Sequence, residues 1–341
     1  MNDWVSQEAL LIDGYRQCAK LTWRYGTTYF WGAALLPRPQ RKHVYAVYAL
    51  CRLADDIVDL PNGQHPGPSP GGSTNSADIP VDGPPTDPQA ASTSSSNPSV
   101  RLATFAKSFQ TSLAEGGGTD PVMAAVVDTV ITRRIDPECF DRFFNAMAMD
   151  LTKTSYQTWE DLRDYMEGSA AVIGEMMLPV LEPISQAAKA PARSLGLAFQ
   201  LTNFLRDIDE DLDRGRIYMP QEDLRLFDVD LERRAVTPGW RAFLAYEIER
   251  NRALYSFADT GIALLPARSA RCVGTARVLY AQILDQIERS GYDVFSSRAR
   301  VPTSRKAATA ARMMVTGPRA LKRQAEAYQR RSMTDVTQDT D

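Results

Sequence analysis

The chain has 341 residues, 39 Lys and Arg against 42 Asp and Glu, and a formal net charge of −3. That balance argues against nucleic-acid binding through a broad basic surface. Two histidines and four scattered cysteines (Cys18, Cys51, Cys139, Cys272) argue against a His-ligated metal centre or a His-based hydrolase, and they suit a reduced, cytoplasmic protein.

Residues 3–36 read as helical, with Tyr15, Cys18, Leu21 and Trp23 as apolar positions. Met1–Gln17 is polar and mixed in charge, so no cleavable leader is expected. The run Tyr25-Gly-Thr-Thr-Tyr-Phe-Trp31 breaks the helical pattern, and Pro37 and Pro39 separate it from the next helix. In that helix Val44, Tyr48, Cys51, Asp55 and Val58 step by +4, +3, +4 and +3 along one face. Asp55 and Asp59 therefore lie on an otherwise apolar stripe, where a carboxylate is costly unless it is paired or metal-bound.

Residues 61–99 are dominated by Pro, Gly, Ser, Thr and Asn and contain no aromatic residue. Such a segment buries too little apolar surface to offset its ordering entropy, so a disordered surface insertion is expected here. Helical periodicity resumes at residue 100, with Leu102, Phe105, Phe109 and Leu113 on one stripe up to Gly116-Gly-Gly118. Helices are expected over Val122 to Ile131 and from Pro137 through Met147. Thr158 with Asp161 three residues on predicts a helix N-terminus. That helix carries Tyr165, Gly168, Ser169, Ala170, Ala171 and Gly174, small residues that permit close helix approach.

The segment from Ala192 to Asp211 is a further helix, ended by Gly215. Gln200, Asn203, Asp207 and Asp211 step by +3, +4 and +4 as one polar ridge, flanked by Phe199 and Arg206. A solvated acidic face would look the same in isolation. Two helices each carrying Asp-x-x-x-Asp change the reading: their simplest joint use is to hold a hard cation such as Mg²⁺ beside substrate phosphates. Helices over 238–264 and 270–289 follow, the second bearing Tyr280, then a basic cluster of Arg298, Arg300, Arg305 and Lys306. No period-two alternation is sustained anywhere, so the fold is all-α by pattern. No run of about 20 apolar residues is present to span a bilayer. The tail over 329–341 is polar and expected to fray.

The two motifs, in this order, with Arg52, Asn203, Arg206 and the tail Arg214-Gly-Arg-Ile-Tyr-Met-Pro220, resemble the head-to-head trans-isoprenyl diphosphate synthases. These are the phytoene, squalene and dehydrosqualene synthases, and the likeness is greatest to the bacterial phytoene synthases. It spans roughly residues 20–60 and 100–310. It implies one isoprenoid synthase domain over 1–341, a helical fold around a central apolar cavity, with the aspartate motifs facing each other across its mouth. It implies Mg²⁺, with Mn²⁺ as an alternative, held by Asp55, Asp56, Asp59, Asn203, Asp207 and Asp211. Tyr48, Arg52, Arg206 and Tyr280 would be catalytic. Thr28, Tyr165, Gln200, Asn203, Arg216, Tyr218, Arg298 and Lys306, with Arg52 and Arg206, would bind substrate. Relatives often carry Ser where this chain has Thr28. Asp150 lies in a segment that also resembles the family, and its position in the sequence assigns it no role.

The activity implied is condensation of two geranylgeranyl diphosphates to phytoene through prephytoene diphosphate, in carotenoid biosynthesis. It ends in proton loss, so NADPH is not expected; the leaving diphosphate is one candidate for the proton acceptor. Partners implied are prenyl diphosphates, the inner face of the membrane as a peripheral contact, and a downstream carotenoid desaturase. The alternatives are a squalene, dehydrosqualene or hydroxysqualene synthase acting on farnesyl diphosphate, and a non-catalytic helical assembly factor. The last typically lacks the metal aspartates, which are all present here.

Overall fold

Helix boundaries follow the punctuation of the sequence. The computed structural model describes residues 2–59, 97–323, 325 and 326; residues 61–96 and the tail 329–341 lie outside them. The described chain forms α1 (Asn2–Tyr25), α2 (Thr27–Ala33), α3 (Arg38–Asp59), α4 (Pro98–Glu115), α5 (Pro121–Arg133), α6 (Glu138–Met149) and α7 (Trp159–Met166). A π-helical turn (Glu167–Ala171) leads into α8 (Val172–Leu181), then α9 (Lys189–Asp213), α10 (Gln221–Leu226), α11 (Pro238–Ile262), α12 (Ala267–Arg289) and α13 (Thr303–Thr316). Among the described residues there is no strand, only an isolated bridge between Ser155 and Ile217.

Four helices start in the same way. Asn97, Asp120, Thr158 and Thr237 each cap α4, α5, α7 and α11 by accepting a hydrogen bond from an early backbone N–H. Pro98, Pro121 and Pro238 follow three of these caps at the first helical position, where the missing N–H costs nothing. The Asn97 cap corrects one boundary: residues 97–99, read above as part of the insertion, already belong to the start of α4. Pro179 does not end α8, which continues to Leu181.

α9 is the central element and packs on α8, α11, α12 and the π turn. The core has two main parts. One gathers Leu50, Val126, Phe109, Phe140 and Phe143 from α3 to α6; the other gathers Leu205, Phe243, Tyr255 and Leu284 around α9, α11 and α12. The close approach of α9 to the preceding segment depends on glycine. A Cβ at Gly196 would lie 2.3 Å from the carbonyl oxygen of Ala170, and one at Gly174 would lie 2.3 Å from that of Ala192. The small residues noted in the sequence thus do pack tightly. Ser169 and Ile173, on the same stretch, also line the cavity between the two parts of the core. Among the described residues, no helix is long and apolar enough to cross a membrane.

Candidate active site

The cavity has a volume of about 1130 Å³ and is walled by α2, α3, α6, the π turn, α8, α9, α12 and the segment 298–306. Every site residue singled out in the sequence lines it. Thr28 comes from α2, and Tyr48, Arg52, Asp55, Asp56 and Asp59 from α3. Gln200, Asn203, Arg206, Asp207 and Asp211 come from α9; Tyr165, Arg216, Tyr218, Tyr280, Arg298 and Lys306 complete the set. Phe143, Met147, Ile173 and Met177 supply an apolar part of the lining. Ile173 and Met177 are only partly buried, whereas Val172 and Met176 beside them are fully buried against the core.

The two aspartate motifs are joined across the cavity by arginine. Arg216, from the tail of the second motif, donates to Asp59 of the first at 2.6 Å. Arg214 stands 3.7 Å from the other oxygen of Asp59. Within the first motif Arg52 pairs with Asp56 at 2.5 Å, one helical turn away. Its guanidinium also lies over the ring of Tyr25, 4.5 Å from the centroid.

Asp207 is the most heavily hydrogen-bonded carboxylate of the two motifs. Arg206 donates through Nε and Nη2 at 2.7 and 2.5 Å, and Arg298 through its own Nε and Nη2 at 2.8 Å each. Burial pushes the Asp207 carboxyl up, but these two forks outweigh it and hold it below the usual carboxylate range. Its motif partner behaves oppositely. Burial, and then the charge of Asp207, push Asp211 up to about 7. Burial and the neighbouring Asp59 push Asp55 up to about 8. The cavity therefore holds arginines that already neutralise Asp56, Asp59 and Asp207, and two carboxyls, half-buried Asp55 and buried Asp211, that resist ionising beside like charge.

No three acidic, histidine or cysteine side chains among the described residues converge as a ready metal site. The donor set nevertheless fits a hard divalent cation. All the donors are oxygens, they are set on opposite walls of one cavity, and a cation between them would remove the like-charge penalty on Asp55 and Asp211.

Sequence reasoning missed several lining residues. Tyr29 contacts Tyr48, Phe199 and Tyr280, with ring centroids 5.5, 5.9 and 5.6 Å away. It was legible only as one aromatic in the run 25–31, with no periodicity to give it a face. Phe199, already noted beside the α9 ridge and lying behind the lining, stacks on Tyr280 at 4.3 Å, so the aromatic contacts run from α2 to α12. Asp150 faces the cavity between Tyr165 and Tyr218. Lys306 donates to the Thr27 hydroxyl at 2.6 Å, so the residue beside Thr28 holds the lysine.

A family model described as squalene/phytoene synthase matches residues 23–306. The chain belongs to the squalene/phytoene synthase family. The 15-cis-phytoene synthase of Synechococcus elongatus is 34% identical over 313 residues, covering 87% of this chain and 91% of that protein. The phytoene synthase of Arthrospira platensis is 34% identical, covering 86% and 90%. Among solved structures, squalene synthase HpnC from Alicyclobacillus acidocaldarius aligns with a TM-score of 0.67 and 29% identity, over 83% of this chain and 96% of that one. A dehydrosqualene synthase aligns with a TM-score of 0.72 at 22% identity, over 89% and 96%. The isoprenoid synthase helical fold expected from the motifs is thus the fold this member of the family has.

Proposed function

We propose that this member of the squalene/phytoene synthase family is a phytoene synthase. It joins two geranylgeranyl diphosphates head to head to prephytoene diphosphate, with loss of one diphosphate and one proton, then forms phytoene with loss of the second diphosphate and a second proton. One observation carries the reading: both aspartate motifs and their arginines line a single cavity that is also lined by the apolar side chains of Phe143, Met147, Ile173 and Met177. The similarity to 15-cis-phytoene synthase over most of both chains supports the choice of product class.

A prenyl diphosphate places its charge at the motifs and their arginines and its hydrocarbon against Phe143, Met147, Ile173 and Met177. Phosphate oxygens compete with Asp207 for the guanidinium forks of Arg206 and Arg298, and with Asp59 for Arg216. Those arginines are already oriented in the cavity, so the leaving group gains bidentate donors without long side chains being ordered from solvent. Mg²⁺, with Mn²⁺ as an alternative, held by Asp55, Asp59, Asp207 and Asp211 with Asn203, would supply Lewis-acid stabilisation of the departing diphosphate. Asp56, buried and paired with Arg52, fits that set less well than its neighbours and serves to orient Arg52.

Breaking the C–O bond leaves an allylic cation, which water would quench. The enclosing wall excludes bulk water. Tyr29, Tyr48, Phe199 and Tyr280 present a connected set of aromatic rings, whose faces attract positive charge. The reaction ends in proton loss and needs no reductant.

The alternative is a farnesyl diphosphate enzyme, favoured by the fold likeness to squalene and dehydrosqualene synthases. The test is purified protein with Mg²⁺ and either geranylgeranyl or farnesyl diphosphate, with products identified by mass. Phytoene from the C20 substrate is expected. C30 hydrocarbon from the C15 substrate alone would overturn the reading.

Peripheral membrane contact is part of the proposal. On α13, Met314 and Val315 are 59% and 83% exposed. They share the helix with Arg305 and Arg312, a combination that suits an anionic bilayer surface. A hydrocarbon product leaves into lipid, where a carotenoid desaturase would take it.

A further inference from the structure

Asp150 received no role from the sequence, yet three separate segments meet on it. It follows α6 directly. Its Oδ2 accepts from the Tyr165 hydroxyl at 2.5 Å and its Oδ1 from the Tyr218 hydroxyl at 3.2 Å. Tyr165 comes from α7; Tyr218 comes from the tail of the second aspartate motif. Both rings are buried and stack on each other at 5.9 Å between centroids. Tyr218 also stacks on Phe204 of α9 at 4.0 Å. The backbone closes the same junction: Ile217 N donates to Thr154 O at 2.8 Å, and Gln221 N to Tyr156 O at 2.9 Å.

Stacking alone leaves a ring free to slide in its plane; an anchored hydroxyl removes that freedom. One carboxylate accepts from two donors more strongly than a neutral group would. Between Tyr218 and the end of α9 lies Arg216, which reaches Asp59. Whatever fixes Tyr218 therefore also fixes the segment that carries this arginine.

We infer that Asp150 is a positioning residue for the proposed reaction: by accepting both hydroxyls it locks the Tyr165 and Tyr218 rings into one cavity wall and ties the Arg216 segment to the end of α6. The inference rests on the cavity being a prenyl diphosphate site. Burial pushes the Asp150 carboxyl up, and the Tyr165 hydrogen bond opposes this, leaving it at about 6, so near neutral pH it is ionised and accepts both bonds. A misplacement of about 1 Å in a wall that holds a rearranging cation costs on the order of 10²-fold in rate.

The test is a mutant cycle combining Asp150→Ala with the double substitution Tyr165→Phe/Tyr218→Phe. It is read on kcat/KM for phytoene formation and on near-UV circular dichroism, which reports the packed tyrosines without turnover. Asp150→Ala should lower kcat/KM by about 10²-fold. In the double-Phe background it should change it by less than about twofold, because the groups it acts through are gone. Both parents should lose the same tyrosine signal. Asp150→Asn should be milder than Asp150→Ala, since its oxygen still accepts from one phenol and its amide donates to the other; it also carries the cycle if the alanine variant does not fold. Multiplicative effects on kcat/KM, or a wild-type tyrosine signal in Asp150→Ala, would overturn the inference. So would Asp150→Asn as damaging as Asp150→Ala in both backgrounds, which would mean that the charge acts directly. If wild-type protein does not turn over geranylgeranyl diphosphate, the functional reading fails, and the dichroism cycle still decides the role of Asp150.

Discussion

Gly26 offers a direct test of whether the Tyr48 ring must stay where it is. The residue joins α1 to α2 with φ −118°, a conformation open to any amino acid, so backbone strain does not enter. The space beside it is filled by Tyr48. A Cβ on residue 26 would lie 2.4 Å from Tyr48 Cζ and 2.7 Å from both its Cε2 and its hydroxyl oxygen. Ordinary contact begins at 3.4 Å, so the ring must move by about 1 Å. It has little room to do so, because Tyr29 packs against it with centroids 5.5 Å apart and Tyr280 packs behind Tyr29. Overpacking of this kind costs about 1–3 kcal/mol. The same displacement at a cation-holding wall costs on the order of 10²-fold in kcat/KM. Gly26→Ala should therefore lower the melting temperature by a few degrees and nearly abolish turnover of geranylgeranyl diphosphate. Adding Gly26→Ala to Tyr48→Ala should cost no further stability, because the clash is gone. Thermal melts and steady-state kinetics of the three variants provide the assay. Wild-type melting and turnover in Gly26→Ala would refute the reasoning, since the ring would then move aside at no cost.

Asp55→Asn, Asp59→Asn, Asp207→Asn and Asp211→Asn should each remove most activity while leaving the far-UV dichroism unchanged. Normal turnover in any two of them would rule out the metal assignment. Tyr280→Ala should slow the second half-reaction more than the first, so that prephytoene diphosphate accumulates in a timed, extracted reaction; phytoene at the normal rate with no intermediate would make Tyr280 a packing residue only. Glu247, fully buried between Arg250 and Asp223, has its carboxyl pushed up to about 8, chiefly by burial. A carboxyl raised in the fold favours the native state below its unfolded value and loses that contribution as pH rises. Stability should thus fall by up to about 3 kcal/mol between about pH 5 and about pH 8 through this group. Glu247→Gln should flatten that part of the denaturation profile, and an unchanged slope would contradict the assignment. Sedimentation with anionic liposomes should be weak and salt-sensitive, and should drop further in Arg305→Ala/Arg312→Ala; protein extractable only with detergent would contradict peripheral contact.

Local order in this protein is written in the sequence because it depends on neighbours within one helical turn. The caps at Thr158, Asp120 and Thr237, the stop near Gly215, and the +3/+4 ridges of α3 and α9 are all interactions over three or four residues. A chain with two Asp-x-x-x-Asp ridges on core-facing helices has few uses for them, so the motifs pointed to a hard-cation site beside phosphates, and the family resemblance made that a diphosphate site. What they could not carry is pairing between distant segments. That the Arg216 side chain would bond Asp59 of α3, while its backbone N–H bonds the Asp211 carbonyl, depends on where packing brings the segment after α9. That Arg298 would join Arg206 on one oxygen pair of Asp207 depends on a segment 91 residues further along the chain. Tyr29 had no face until α2 packed on α12. Asp150 had no partner until Tyr165 and Tyr218 were brought to it across 15 and 68 residues. Periodicity tells which side of a helix is buried, whereas the identity of the group on the far side of the cavity comes from packing, through helix crossings that residues such as Gly174 and Gly196 permit by close backbone approach.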